Sequence, residues 1–469
     1  MTRTLPAPVA AGTDERFGPR LWGLLLVLAG NMLIDALEVS VAVVALPTIG
    51  TDLGQPPTVT QWAMTGFAAG FGGLLLFGAR VVTLLGRRRV YLAALLAFAA
   101  ASALSALAHG PWLLLATRLT KGFCAALTAP TGLAIITATF PEGRPRSRAV
   151  SVYTLFGAGG FTAGLLLSGW LTQTSWRWAF AFPAPVVLLL FAFGLRLIPG
   201  EAPGAPTGLS VSNGDAGSAP QGRGELRDQP PRRRGRTTTR HFGIPSALTL
   251  LGALLALVQG ITQFPAHGWT APQTTAPLTA AALLLLLLRR VERHALAPLL
   301  NTAPLRGNPT LIRSALGAAC LNGSYLGLLF VLTYQTQTLA GWSPLHTAFA
   351  LLPAAAPPAL TALASGRLVA AFGAPRLIVA GAACAFAGAL LQLRPHAWPL
   401  DYQGRMLPTL LLVGAAFVLS FAALNMQAMS RLAPADRLTG SGLYQTAVQL
   451  AAVLAVALVA ALLAAHAPA

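Results

Sequence analysis

Thirteen stretches of this chain are each long and apolar enough to cross a lipid bilayer, and they recur from one end to the other. A spanning helix needs about 20 mostly apolar residues. The runs occupy approximately residues 21–47, 60–82, 90–108, 112–137, 150–172, 178–198, 243–263, 275–291, 311–336, 345–371, 376–394, 406–429 and 439–465. They are continuous and do not alternate, which excludes a membrane β-barrel. Backbone polar groups in lipid must be satisfied within their own segment, which leaves helices. The expected fold class is therefore all-α and polytopic. Composition agrees: 55% of the residues are hydrophobic and only 10% are charged, with a mean hydropathy of +0.65, where a soluble domain is about one quarter charged. The first run is too long for a signal-peptide core, and no small-residue cleavage site follows a short core, so it reads as a retained helix.

Charge sets the orientation. With the N-terminus inside, 25 of the 32 Lys and Arg residues fall in inner segments and three in outer ones. That asymmetry is the positive-inside pattern. It accounts for the net charge of +19 without a nucleic-acid partner. The expected place is the cell (plasma) membrane, multi-pass, with residues 1–20 cytoplasmic. Residues 199–242, rich in Gly, Pro, Ser and Arg, cannot bury a core and read as a disordered basic cytoplasmic linker. They divide an N-terminal six-helix bundle, 21–198, from two further helices in 243–293 and a five-helix C-terminal bundle, 294–469. Cys124, Cys320 and Cys384 lie far apart inside runs and suggest neither a disulfide nor a metal site. No Ser/His/Asp set, metal cluster or phosphate loop suggests an enzyme.

An internal repeat supports the division. ARVVTLLGRRR at 79–89 matches GRLVAAFGAPR at 366–376, with an offset of 287 residues. Arg80 pairs with Arg367, Gly86 with Gly373, and Arg89 with Arg376. Both copies fall in an inner loop between two helices. Repeated halves of like orientation characterise transporters whose site lies between the halves.

Ionisable groups inside the membrane are costly, so they imply compensation or use. Asp35 and Glu38 interrupt the first run; Arg118 and Lys121 interrupt the fourth. At 1.5 Å per residue, Glu38 lies about 13 Å and Asp35 about 18 Å from the outer end, Arg118 about 10 Å and Lys121 about 15 Å. Each pair is spaced i,i+3 on one helix face. The four charges share one depth band and can neutralise one another. A fixed ion-pair lock is the plainer reading. The second half carries no acid in mid-helix. Its neutral groups Asn322, Tyr325, Tyr334, Gln335, Asn425 and Met426, with Trp62 and Phe71 of the second run, suit an adaptable pocket for a bulky, partly apolar ligand. For any one of them, packing is the favoured explanation.

Several motifs in order resemble one family. LEVSVAVVALPTI (37–49) resembles a helix-1 signature, LDxTIVNVALPxI, and aligns Glu38 with its acid. RLTKGFCAAL (118–127) resembles RxxQGxGAA, carrying over Arg118 and Gly122. WRWAF (176–180), GWSPLHTAFALLP (341–353) and SGLYQTAVQL (441–450) resemble three further segments. The family is the major facilitator superfamily, in its fourteen-helix drug:proton antiporter branch, whose two extra helices match the runs at 243–263 and 275–291. The resemblance implies two pseudo-symmetric bundles and proton-coupled export of a drug, antibiotic or other amphipathic small molecule. It implies no cofactor beyond the proton motive force; the expected partners are the small molecule, protons and lipid, with the chain a monomer. Glu38 would then be the main proton acceptor and Asp35 a second proton site or a partner for a cationic substrate. Arg118 would tune the acid and Lys121 balance charge. Arg80, Gly86, Arg87, Arg367 and Gly373 would form gating loops.

The departures are specific. Thr83 and Ala370 stand where the family's loop motif has an aspartate. The helix-5 motif GPxxGG reads GLLLSG at 164–169, with Leu165 for proline and Ser168 for glycine. The chain ends at Ala469 after thirteen runs, without a counterpart of the branch's last helix. An uncoupled or importing facilitator of a small metabolite, or a non-transporting sensor on the same fold, are the alternatives.

Overall fold

The computed structural model describes residues 17–200, 243–295, 298–392, 401–433 and 436–465. Most of the expected cytoplasmic segment and nearly all of the expected linker lie outside these residues. Each apolar run is realised as helix. The first half comprises α1 (Pro19–Leu53), α2 (Pro57–Leu85), α3 (Arg87–Ala106), α4 (Pro111–Thr139), α5 (Arg144–Thr172) and α6 (Trp176–Leu197). The extra pair is α7 (Ile244–His267) and α8 (Pro272–His294). The second half comprises α9 (Pro309–Leu339), α10 (Pro344–Thr361), α11 (Ser365–Phe372), α12 (Ala374–Gln392), α13 (Tyr402–Met429) and α14 (Arg437–Ala465).

The helices outrun the expected spans by up to six residues, as at Arg144 of α5, and two departures have a visible cause. α1 continues to Leu53, through Pro47, because neighbouring helices compensate for a proline inside a membrane helix. The run at 345–371 is not one rod: α10 and α11 meet at a bend of 78°. Pro353, Pro357 and Pro358 each remove an i→i−4 hydrogen bond from α10, so little holds its last turns in line with the next.

The repeat is visible in the backbone. Gly86 closes α2 at φ 92°, ψ 143°, its N–H bonded to Val82 O. Gly373 closes α11 at φ 81°, ψ 143°, its N–H bonded to Val369 O. Both glycines occupy a region that side chains avoid, and each is followed at once by a new helix.

Within the first half α1 packs on α5, α2 on α4, and α3 on α4 and α6. In the second half α9 packs on α13 and α14, and α12 on α13. The halves meet where α5 crosses α10, α2 crosses α14 and α1 approaches α9. α7 pairs with α8 and rests on α14 and α2.

The cores are distributed unevenly. At the arginine-poor end one cluster takes residues from both halves: Val41–Leu46, Leu165, Trp176 and Phe180 with Leu326, Leu329, Phe330, Leu351 and Val456. At the arginine-rich end the halves keep separate cores. One contains Leu24, Leu28, Tyr91, Ile136 and Tyr153; the other contains Leu311, Leu424, Leu432 and Tyr444. Burial is thus shared between the halves at the arginine-poor end and separate at the arginine-rich end, where the halves still touch at Leu76 of α2 beside Gly442 of α14 and at Arg80 against Pro298 O.

Candidate functional site

Two glycines bring the first-half charges together. A Cβ on Gly122 of α4 would lie 2.1 Å from Phe67 O, and one on Gly70 of α2 would lie 2.3 Å from Leu119 O. Only bare backbone lets α2 and α4 cross this closely. The crossing delivers the Arg118 guanidinium to the inner wall of α2, where its Nε donates to Ala63 O.

Arg118, Lys121 and Glu38 are each fully buried. Arg118 Nη1 pairs with Glu38 Oε2, and Lys121 Nζ with Glu38 Oε1. Arg118 Nη2 also donates to the backbone carbonyl of Glu38 at 2.9 Å. Aromatic faces enclose both cations: Arg118 lies 4.9 Å from the Phe67 ring centre and 5.3 Å from Phe180; Lys121 lies 5.2 Å from Phe98 and 5.7 Å from Phe180. These contacts offset part of the cost of removing the cations from water.

The four charges are one neighbourhood but not two pairs. Both cations belong to Glu38. Asp35, 6% exposed, is held by neutral donors: Asn31 Nδ2 at 3.0 Å and Thr128 Oγ1 at 3.0 Å, both to Oδ2. Its other oxygen, Oδ1, has no hydrogen-bond partner among the described residues. Two helix spacings produce this arrangement. Asn31 precedes Asp35 by one turn of α1, and Thr128 follows Lys121 by two turns of α4, so each lies on the charged face of its helix. Neither residue was singled out from sequence, because a neutral amide or hydroxyl in a helix usually packs without consequence.

At the interface between the halves the structure places an aromatic ladder. Phe161 of α5 meets Tyr325 of α9 at 5.8 Å between ring centres; Tyr325 meets Phe417 of α13 at 4.9 Å; Phe417 stacks on Phe421 at 4.7 Å. Tyr325 was expected at the ligand site. Phe161, Phe417 and Phe421 were not, although the i,i+4 spacing of the last two was readable. Asn425, exposed, follows Phe421 by one further turn and extends that face, and Met426 beside it is 48% exposed.

The Tyr325 hydroxyl donates to Ala354 O at 3.3 Å. Pro358 has no N–H, so the carbonyl four residues before it lacks its helical partner, and the tyrosine supplies a donor. Thr162 Oγ1 of α5 donates to Ala355 O at 2.8 Å, on the next residue of α10.

The other expected ligand residues are scattered. Trp62 is buried with Leu254, Val258, Val453 and Ala457, in the packing between α2, α7 and α14. Phe71 is half-buried beside Phe67. Asn322 donates to Val448 O of α14 at 3.3 Å and thus ties two helices of the second half. Gln335 opens a wider π turn, Gln335–Leu339, at the end of α9. Its neighbour Gln337, not anticipated, crosses to the first half and donates to Val44 O at 3.0 Å.

In the repeated loops Arg80 donates to Pro298 O at 2.8 Å, tying the first half to the segment that precedes α9. Arg87 and Arg367 are exposed. The altered helix-5 motif is used for packing. Ser168 Oγ donates to Val41 O at 2.9 Å, where a glycine would offer nothing. Gly169 faces α10 so closely that its Cβ would lie 2.6 Å from that of Ala348.

The family model described as Major Facilitator Superfamily matches residues 28–456. The puromycin resistance protein of Streptomyces alboniger is 32% identical over 456 residues, covering 95% of this chain and 82% of that protein. The cephamycin export protein of Amycolatopsis lactamdurans is 29% identical over 344 residues, covering 73% of this chain and 64% of that protein. Among solved structures, a D-xylose-proton symporter superposes with a TM-score of 0.58 at 13% identity, covering 93% of this chain and 89% of that one. A bacterial homologue of the human lysosomal transporter Spinster, in an inward-facing conformation, gives 0.58 at 15% identity, covering 94% and 82%. At such identities these two likenesses speak to fold alone.

Proposed function

The chain belongs to the Major Facilitator Superfamily and is a multi-pass membrane transporter, and we propose that it exports an amphipathic, antibiotic-like molecule in exchange for protons. The arginine-rich end faces the cytoplasm, following the positive-inside rule, and the halves then keep separate cores on the cytoplasmic side, from which an export substrate is taken. The working unit is a monomer in the plasma membrane, and no covalent chemistry is involved.

One observation carries the reading. A buried set of two acids and two bases sits within the first half, and an aromatic ladder joins that half to the second across α5, α9 and α13. Rocking of the halves changes both at once, because Phe161 and Thr162 lie on α5, which packs against α1 where Asp35 and Glu38 reside. The rings supply stacking and apolar area for a planar or partly apolar cargo. Asp35 supplies a negative group that a proton can neutralise. The relatives named above, a puromycin resistance protein and a cephamycin export protein, support an antibiotic as cargo.

The test is susceptibility profiling of a strain that expresses the chain, against a panel including puromycin, cephamycins and lipophilic cations, with and without a protonophore. Reduced susceptibility that the protonophore abolishes is the expected result. Unchanged susceptibility across the panel, or protection indifferent to the protonophore, overturns the proposal.

A further inference from the structure

The family alignment puts the acid of helix 1 at Glu38, yet the contacts divide the two acids differently. Glu38 is gripped by both cations and its own backbone carbonyl is held by Arg118. Protonating it would leave two buried cations with no carboxylate in contact. Breaking a buried pair in this way is strongly destabilising, because it leaves buried charge uncompensated. Asp35 touches no cation. If it takes a proton, Thr128 keeps an acceptor, since its hydroxyl also lies 3.1 Å from Cys124 O. The unpartnered oxygen Oδ1 is the atom free to receive the proton.

The surroundings of Asp35 also point in one direction. The titratable and charged groups around it are Glu38 on α1, Arg118, Lys121 and Cys124 on α4, Tyr91 on α3 and Tyr153 on α5. The two tyrosines lie toward the arginine-rich ends of their helices and belong to the same buried cluster as Cys124 and Ile34. Tyr153 donates to Ala129 O at 2.8 Å, one residue beyond the Thr128 that holds Asp35. The Tyr91 hydroxyl is fully buried and has no hydrogen-bond partner among the described residues. An unpartnered acceptor and an unpartnered hydroxyl thus occupy one core, inside the first half and apart from the interface with the second.

We infer that Asp35, one turn away from the family position, carries the exchangeable proton, that Glu38 is a permanent anchor for Arg118 and Lys121, and that the proton leaves through the first half past Tyr91 and Tyr153, separate from the substrate's path between the halves. This deepens the reading of a proton-driven exporter and rests on it. In the release step the O–H bond at Asp35 Oδ1 breaks and the proton passes to water bound at the Tyr91 hydroxyl. The electron pair stays on the carboxylate, which Asn31 and Thr128 continue to hold. Tyr91 is a positioning residue: it holds the receiving water and keeps its own proton overall.

The test uses the full chain reconstituted in lipid. Infrared difference spectra over a pH titration read the carboxylic-acid stretch directly. The wild type is expected to gain one protonated-carboxyl band as pH falls. Asp35→Asn should lose it, Glu38→Gln should retain it at a displaced midpoint, and Tyr91→Phe should retain it with slowed exchange after a pH jump. A band that persists in Asp35→Asn, or that disappears in a folded Glu38→Gln protein, overturns the assignment; an unchanged exchange rate in Tyr91→Phe overturns the route. Should Asp35→Asn fail to fold, Asp35→Glu takes its place, and an unmoved midpoint overturns the assignment. Ethidium efflux from everted vesicles under a pH gradient forms a separate arm. Loss of that arm in the wild type, with the band intact, would refute the exporter reading and leave the proton site standing.

Discussion

At the scale of the residue, the chemistry follows from which neighbour each buried group is given. Arg118 makes three contacts at once: the Glu38 side chain, the Glu38 carbonyl and Ala63 O. Arg118→Ala strips them all and leaves Lys121 alone with Glu38. The expected loss is about 3–5 kcal/mol, read as a lowered midpoint of unfolding in detergent. Arg118→Lys should recover only part of it, since an ammonium cannot reproduce the guanidinium fork. Tyr325→Phe keeps the ring in its ladder but removes the donor to Ala354 O, whose helical partner Pro358 has already taken away. That change should cost about 1–3 kcal/mol in the same measurement, whereas Phe417→Ala should weaken cargo binding. The presence of the four buried charges and their closeness to one another were readable from spacing along two helices. Their pairing was not, because which acid meets which base depends on how two glycines let α2 and α4 cross. The ladder was half readable for a related reason: a ring spaced for one helix face says nothing of the helix it will meet.

At the scale of the element, the long runs of apolar residues made the helices legible in number and place, with ends off by up to six residues, since lipid admits few other solutions. The break between α10 and α11 was hidden because hydropathy reads length and not direction; only three prolines hinted at it. The loop repeat was legible in letters, and its counterpart in backbone angles shows what the letters encode. Gly86→Ala and Gly373→Ala each force a side chain into positive φ, and each should cost about 1–2 kcal/mol with similar effect on unfolding, a parity that paired measurements of the two variants can check. Gly122→Leu is a different kind of change. Its first side-chain carbon already collides with Phe67 O, so α2 and α4 must separate and Arg118 withdraw from Ala63. Loss of folded protein on size exclusion is expected.

At the scale of the whole molecule, the shared core at the arginine-poor end is what the transport cycle must open. Gly169 against Ala348 and Gln337 against Val44 O are two of its cross-half contacts. Gly169→Val should wedge that end apart, and Gln337→Ala should loosen it. Maleimide labelling of Ala348→Cys, in a chain with Cys320 and Cys384 replaced by serine, should accelerate in both backgrounds, more in the first. Unaltered labelling would show that α5 and α10 do not form the gate. The two ends also differ in the force that governs them. Oily burial clasps one, and that attraction weakens on cooling. At the other, each half carries exposed guanidinium groups, among them Arg89 and Arg148 on the first and Arg313, Arg376 and Arg431 on the second, and dissolved ions mute their mutual repulsion. Chilling and added electrolyte, applied to opposite poles of the protein, should therefore tip the seesaw the same way.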